Sequence, residues 1–182
     1  MTTRTSEPRT AALAELTDAV RHIVRQELSP QETGAMVGST LKPFLGRADL
    51  LTEAQKAADP DDYLQHLLHV EDDGSFSIVS LVWLPLQQTP IHDHVSWCVV
   101  GVHVGEETEV RYKVHVEGED RFLTLAETNV NRHGSVCAVV PPGDIHKVLN
   151  TGEDKTISIH VYGADISRLG SSIRRRYDLV VR

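Results

Sequence analysis

From Thr10 onward the apolar residues fall at Leu13, Leu16, Val20, Ile23, Val24 and Leu28. Steps of three and four put them on one face of a helix. Pro30 ends that helix and opens a second helical stretch over 31–45, and a short third one covers 52–58. Asp59, Pro60 and Asp61 then break the pattern. From Tyr63 the period changes. Short runs rich in Val, Ile, Leu and aromatics cover 63–70, 76–84, 96–104, 108–115, 121–130, 135–140, 147–149 and 156–162, with Gly, Asp, Asn, Glu and Pro clusters between them. Closely spaced short strands without helical pattern predict an all-β sandwich or barrel. The chain therefore reads as mainly β. A helical N-terminal part (1–60) packs on a small barrel (61–165), and a C-terminal segment (166–182) follows. The first seven or so residues read as a loose tail.

Composition narrows the picture. A chain of 182 residues fits a single domain of this kind. Hydrophobic residues at 40% and charged residues at 24% exclude a wholly disordered chain. The 26 acidic residues outnumber 18 basic ones, for a net charge of -8, which disfavours non-specific binding to nucleic acid. The one basic run, Arg174 to Arg176, reads as a solvated segment. Cys98 and Cys137 are too few for a disulfide scaffold. No run approaches 18 apolar residues, so no membrane span is expected. The polar start, Met1 to Pro8, lacks the apolar core of a secretory signal. The expectation is a cytoplasmic monomer or small homo-oligomer without nucleic-acid or membrane partners.

Candidate chemistry sits on the histidines. In an extended strand, side chains two apart share a face, so His92 and His94 can reach one metal ion. Farther on, Pro141, Pro142 and Gly143 form a turn that presents His146 at the start of a strand. On the last predicted strand, Ser158, His160 and Tyr162 share one face. Inside a barrel such a line relays a proton; on an outer face it is ordinary polar surface. His22, His66, His69, His103, His115 and His133 are read as structural or surface residues.

These segments resemble the two motifs of the cupin superfamily. The second, Pro-x-Gly-x-x-His-x-x-x-Asn, is met by Pro141, Gly143, His146 and Asn150. The first is met by His92, His94 and Gly105, but Cys98 stands in place of the usual Glu ligand and Leu86 in place of a usual Gly. The resemblance implies a cupin double-stranded β-helix and a metal held by three neutral imidazoles and no carboxylate. Imidazoles alone do not choose among Fe, Zn, Cu and Ni. Three protein ligands leave coordination positions open.

With the Ser158, His160 and Tyr162 strand added, the chain resembles the thiol dioxygenases, the cysteine dioxygenase family. That resemblance implies Fe(II) on His92, His94 and His146, and a small thiol and O2 as substrates. The thiol binds as thiolate. Both oxygen atoms end on sulfur as a sulfinic acid. It also implies that Tyr162 contacts the substrate or oxygen, with His160 and Ser158 orienting it. Cys98 is then either the partner of Tyr162 in a thioether, as in the mammalian enzyme, or a small buried hydrophobe. An Arg that pairs with the substrate carboxylate in the mammalian type is matched here by Gln65, beside Tyr63, as in the 3-mercaptopropionate branch. Arg168 is a second candidate for the carboxylate. Cysteine or a larger thiol such as ergothioneine remains open as substrate. A zinc or nickel cupin performing isomerisation or hydrolysis, and a non-catalytic small-molecule-binding cupin, are the readings from other classes.

Overall fold

The computed structural model describes residues 2–4 and 9–182. Helix α1 (Ala11–Val24) starts where the Thr10 hydroxyl accepts the Leu13 backbone N–H at 3.1 Å. It buries Leu13, Leu16, Val20 and Ile23, the stripe that the spacing predicts. Helix α2 (Pro30–Leu41) opens with a reciprocal cap between Ser29 and Glu32, which satisfies two otherwise orphaned N–H groups. It is shorter than the predicted 31–45: after Leu41 the chain tightens into a 3-10 turn, Lys42–Phe44. The third predicted helix is only a 3-10 turn, Ala54–Lys56.

The strands are β1 (Thr2–Arg4), β2 (Leu64–Val70), β3 (Ser77–Trp83), β4 (His92–His94), β5 (Cys98–Val104), β6 (Glu106–Glu117), β7 (Asp120–Arg132), β8 (Val136–Val139), β9 (His146–Leu149), β10 (Thr156–Tyr162) and β11 (Ile173–Arg176). They form a six-stranded sheet, β1-β2-β3-β10-β5-β8, and a five-stranded sheet, β11-β4-β9-β6-β7. Every pairing is antiparallel except that of β1 with β2. The two sheets make the cupin double-stranded β-helix that the motifs imply.

Three expectations need correction. Part of the presumed loose tail, Thr2–Arg4, is a strand alongside Gln65 to Leu67; residues 1 and 5–8 lie outside the described residues. The C-terminal segment is not simply solvated: it forms helix α3 (Ile166–Leu169) and strand β11, and Arg174 pairs with buried Asp93. Finally, the strand predicted over 96–104 begins two residues later, at Cys98, after the chain has crossed from the sheet that holds His92–His94 to the other sheet.

The six-stranded sheet is buried on both sides, because helices cover its outer face. Ile157, Ile159 and Val161 of β10 pack with Leu13, Leu16 and Leu41 of the helices in one apolar cluster. Gly101 on the same face is required by that contact: a Cβ there would sit 2.8 Å from Leu41 and 2.9 Å from Leu45. The alternate residues of these strands, such as Leu81, Trp83, Cys98, Val100 and Tyr162, point into the barrel. At Leu86, where the cupin pattern has Gly, the backbone is left-handed with φ 70 and the side chain is 81% exposed. Leu adopts the conformation that Gly takes freely, and does so by leaving its side chain in solvent.

Candidate metal centre

His92 and His94 lie on one short strand and His146 opens the next, with His92 directly opposite His146 in the register. All three are buried. Their ring centroids are 4.7 to 4.9 Å apart, and one ring nitrogen from each lies within 4.8 Å of the others. The structure therefore brings the three predicted ligands together. No other cluster of this kind occurs among the described residues.

Each ring is held by its Nδ1. That of His92 donates to the Pro90 carbonyl at 2.8 Å, that of His94 to Asp144 at 2.9 Å, and that of His146 to Glu109 at 2.7 Å. The Nε2 atoms are left to turn toward the shared space. Asp144 also accepts the His94 backbone N–H at 2.9 Å. Burial pushes both carboxyls up, but the hydrogen bonds from their histidines outweigh it, so each stays below the usual carboxylate range and ionised. Burial and the neighbouring imidazoles push His92 down to about 3. Burial also lowers His146 against the opposing pull of Glu109. Neutral imidazole is the form that binds metal.

Ser158, His160 and Tyr162 face the barrel interior. Tyr162 Oη lies 3.1 Å from His160 Nδ1, and Ser158 Oγ lies 2.9 Å from His160 Nε2. Trp83 Nε1 donates to Ser158 Oγ at 3.1 Å. Burial, reinforced by the three ligand histidines, holds His160 down at about 3, so it is neutral. Burial raises the Tyr162 phenol and the Cys98 thiol, so both keep their protons. Tyr162 lies beside His94, at 6.3 Å between ring centroids. Cys98 is buried directly opposite Tyr162 in the pairing of β5 with β10. It reaches the interior from the sheet opposite His92, not along one strand with it.

The histidines and Tyr162 line a pocket of about 420 Å³, counted out to its open mouth. That is at the small end of ligand sites. Gln65 and Tyr63 also line it, and Tyr63 stacks on Trp83 at 4.7 Å between centroids. Arg168 is not among the lining residues: it is exposed on α3. Sequence reasoning missed the closing wall, Ser171, Ser172 and Ile173. It missed the clamp beneath it as well. Asp93, between two ligands, accepts from Arg174 at 2.5 Å and from the Tyr177 hydroxyl at 2.9 Å. The only hint of this was the basic run itself. Glu109 and Asp144 carried no pattern of their own.

Two facing sheets with three buried histidines, converging from adjacent strands, define a cupin whose barrel could hold a metal ion. Residues 1–174 match the family described as cysteine dioxygenase type I. The chain belongs to that family. Among solved structures, a double-stranded β-helix protein from Klebsiella pneumoniae is 14% identical, with 65% of this chain and 92% of that one covered and a TM-score of 0.47. A cupin 2 conserved barrel protein from Salinispora arenicola is 18% identical over 66% and 92%, with a TM-score of 0.45. An RmlC-like cupin from Desulfovibrio desulfuricans is 23% identical over 62% and 92%, also with a TM-score of 0.45.

Proposed function

We propose that this protein is a thiol dioxygenase that uses Fe(II) held by His92, His94 and His146, and that its substrate is a small thiol bearing a carboxylate, 3-mercaptopropionate. The observation that carries the reading is the donor set: three neutral imidazoles, each fixed through Nδ1, with no carboxylate aimed at the centre and a buried phenol beside it. Imidazole suits a first-row divalent ion. When bound, ferrous iron supplies one centre at which a thiolate and dioxygen react, both oxygen atoms ending on sulfur as a sulfinic acid.

The chain's own residues do the rest. Lacking a carboxylate ligand, the histidine set keeps the centre positive and so favours an anionic sulfur over a neutral one. Tyr162 offers a neutral phenol, oriented by His160, as hydrogen-bond partner to what binds. Ser171 to Ile173 and the stacked Tyr63 and Trp83 form walls of the pocket and limit water in it. For the carboxylate, Gln65 brings a neutral amide. Among the described residues no lysine or arginine lines the pocket. Arg176 lies opposite His92 in the register and is the cation assigned to the carboxylate in this reading. Supporting a thioether between Cys98 and Tyr162, the two lie opposite each other in the pairing of β5 with β10. An intact mass lower by two hydrogens after turnover is its expected sign.

The test is oxygen consumption by the Fe(II)-loaded protein with 3-mercaptopropionate, cysteine, cysteamine and ergothioneine, with the sulfinate detected by mass. The highest kcat/KM is expected for 3-mercaptopropionate. Preference for cysteine moves the substrate assignment to that amino acid, and no uptake with any thiol defeats the dioxygenase reading.

A further inference from the structure

Apart from the metal pocket, the protein has a surface cavity that the proposed reaction does not use. It holds about 710 Å³, counted out to its open mouth, which is within the range of small-molecule sites. Gly46, Arg47, Lys56, His103 and His133 line it, and no metal ligand does. A β-bulge presents His103 there: β10 pairs with Val102 and Val104 of β5 and skips the residue between them. Such a bulge re-aims a side chain.

Hydrogen bonds fix the tautomer of both rings. The Gly46 backbone N–H donates to His103 Nδ1 at 3.1 Å. With that lone pair taken, the neutral ring carries its proton on Nε2. His103 is only 3% exposed, yet this Nε2–H has no acceptor among the described residues. A largely buried donor without a partner is costly. His133 Nδ1 donates to the His103 carbonyl oxygen at 3.0 Å, so in its neutral ring Nε2 keeps the lone pair. Gly46 holds this ring as well. Its φ is +81, and a Cβ there would lie 2.6 Å from His133 Cε1 and 2.9 Å from Nε2. One ring thus has a spare donor and the other a spare acceptor, both at one cavity.

A metal ion does not suit this pair, because His103 Nε2 bears a proton where a ligand needs a lone pair. An anion that both accepts and donates does suit it. We propose that the cavity binds inorganic phosphate as its monohydrogen dianion, His103 Nε2–H donating to a bare oxygen and His133 Nε2 accepting from the protonated one. Lys56 and Arg47 supply the balancing charge. Lys56 pairs with Glu53 at 3.0 Å, and Arg47 pairs with Asp49 at 2.9 Å and Glu15 at 3.2 Å. None of these acids lines the cavity, and all three are largely exposed. Exposed pairs of that kind are weak and yield to a doubly charged ligand. Burial, with the charges of Lys56 and His133, holds His103 down at about 4, so its ring stays neutral and keeps the donating tautomer.

Titrating the whole metal-free protein with inorganic phosphate at about pH 8, where an ordinary imidazole is neutral, tests this. Nitrogen-15 NMR of the histidine rings is the readout, with chloride adjusted to hold ionic strength constant. Expected are a His103 proton on Nε2 before any addition, and saturable shifts at His103 and His133 but not at His22 or His115. Sulfate, which brings no proton for His133, should bind about tenfold more weakly or worse. Glycerol 3-phosphate, a dianion that also lacks that proton, should follow sulfate. His103→Asn retains an acceptor for the Gly46 N–H but loses the spare donor, and should weaken phosphate binding by about tenfold or more. Lys56→Gln leaves both rings in place and should weaken it by about fivefold. A His103 proton on Nδ1, sulfate or the ester binding as tightly as phosphate, or unchanged affinity in Lys56→Gln and His103→Asn overturns the proposal. Neither metal nor thiol enters the titration, so its outcome is separate from that of the oxygen assay.

Discussion

The two faces of β10 are equally buried and chemically opposite. Ile157, Ile159 and Val161 face the helices; Ser158, His160 and Tyr162 face the barrel. The outer face is a packing surface, where each side chain contributes transfer free energy and fills volume. The inner face holds polar groups out of water, and they are tolerable only because each finds a partner in the line from Trp83 to Tyr162. Burial alone does not mark the site. What marks it is the care with which hydrogen bonds are completed on one side of the strand, while the other side needs none.

That contrast can be broken from either face. The largest effect expected is on turnover: Tyr162→Phe should lower kcat by about 10²- to 10⁴-fold with iron content, measured by metal analysis, unchanged. Loss of iron instead would assign Tyr162 to the ligands. On the outer face, Ile159→Ala should cost about 2–5 kcal/mol in urea unfolding and leave kcat per folded molecule nearly unaltered. Equal losses of stability and turnover would erase the distinction between the faces. Glu109→Gln, which weakens the hold on His146, should reduce metal affinity by about 10- to 100-fold in a competition titration.

The inner face also predicts an acid sensitivity. His92 and His160 are held at about 3 in the fold, below the ordinary value of about 6.5. The unfolded chain takes up protons there before the folded one does, so stability of the metal-free protein is full above about pH 6.5 and falls as pH drops toward 3. The unfolding free energy from urea titration should decline through this window, by about 3 kcal/mol between pH 6.5 and pH 5 for the two rings together. A flat profile would mean that these rings are solvated. The smallest effect concerns choice of substrate. Gln65→Arg should shift relative kcat/KM toward cysteine by about tenfold.

Much of this was legible in the sequence, for local reasons. Strand 156–162 is seen as predicted, since its apolar and polar alternation and its length are properties of seven adjacent residues. His92, His94 and His146 could be picked out because a period of two and a Pro-Gly turn are short-range signals. The groups that hold them could not. Glu109 reaches His146 across 37 positions and Asp144 reaches His94 across 50, through strand pairing that no local pattern encodes. Arg168 stands out in the sequence for its nearness to Tyr162, and in the fold it is exposed on α3.

Strand β11 has a consequence for how the protein matures. It flanks β4, and Arg174 clasps Asp93 from 81 positions later in the chain. During synthesis, the segment bearing two of the histidines leaves the ribosome long before the piece that secures it. Until β11 is in place, the strand that carries His92 and His94 lacks its clasp, so an ion at that site would be gripped less firmly.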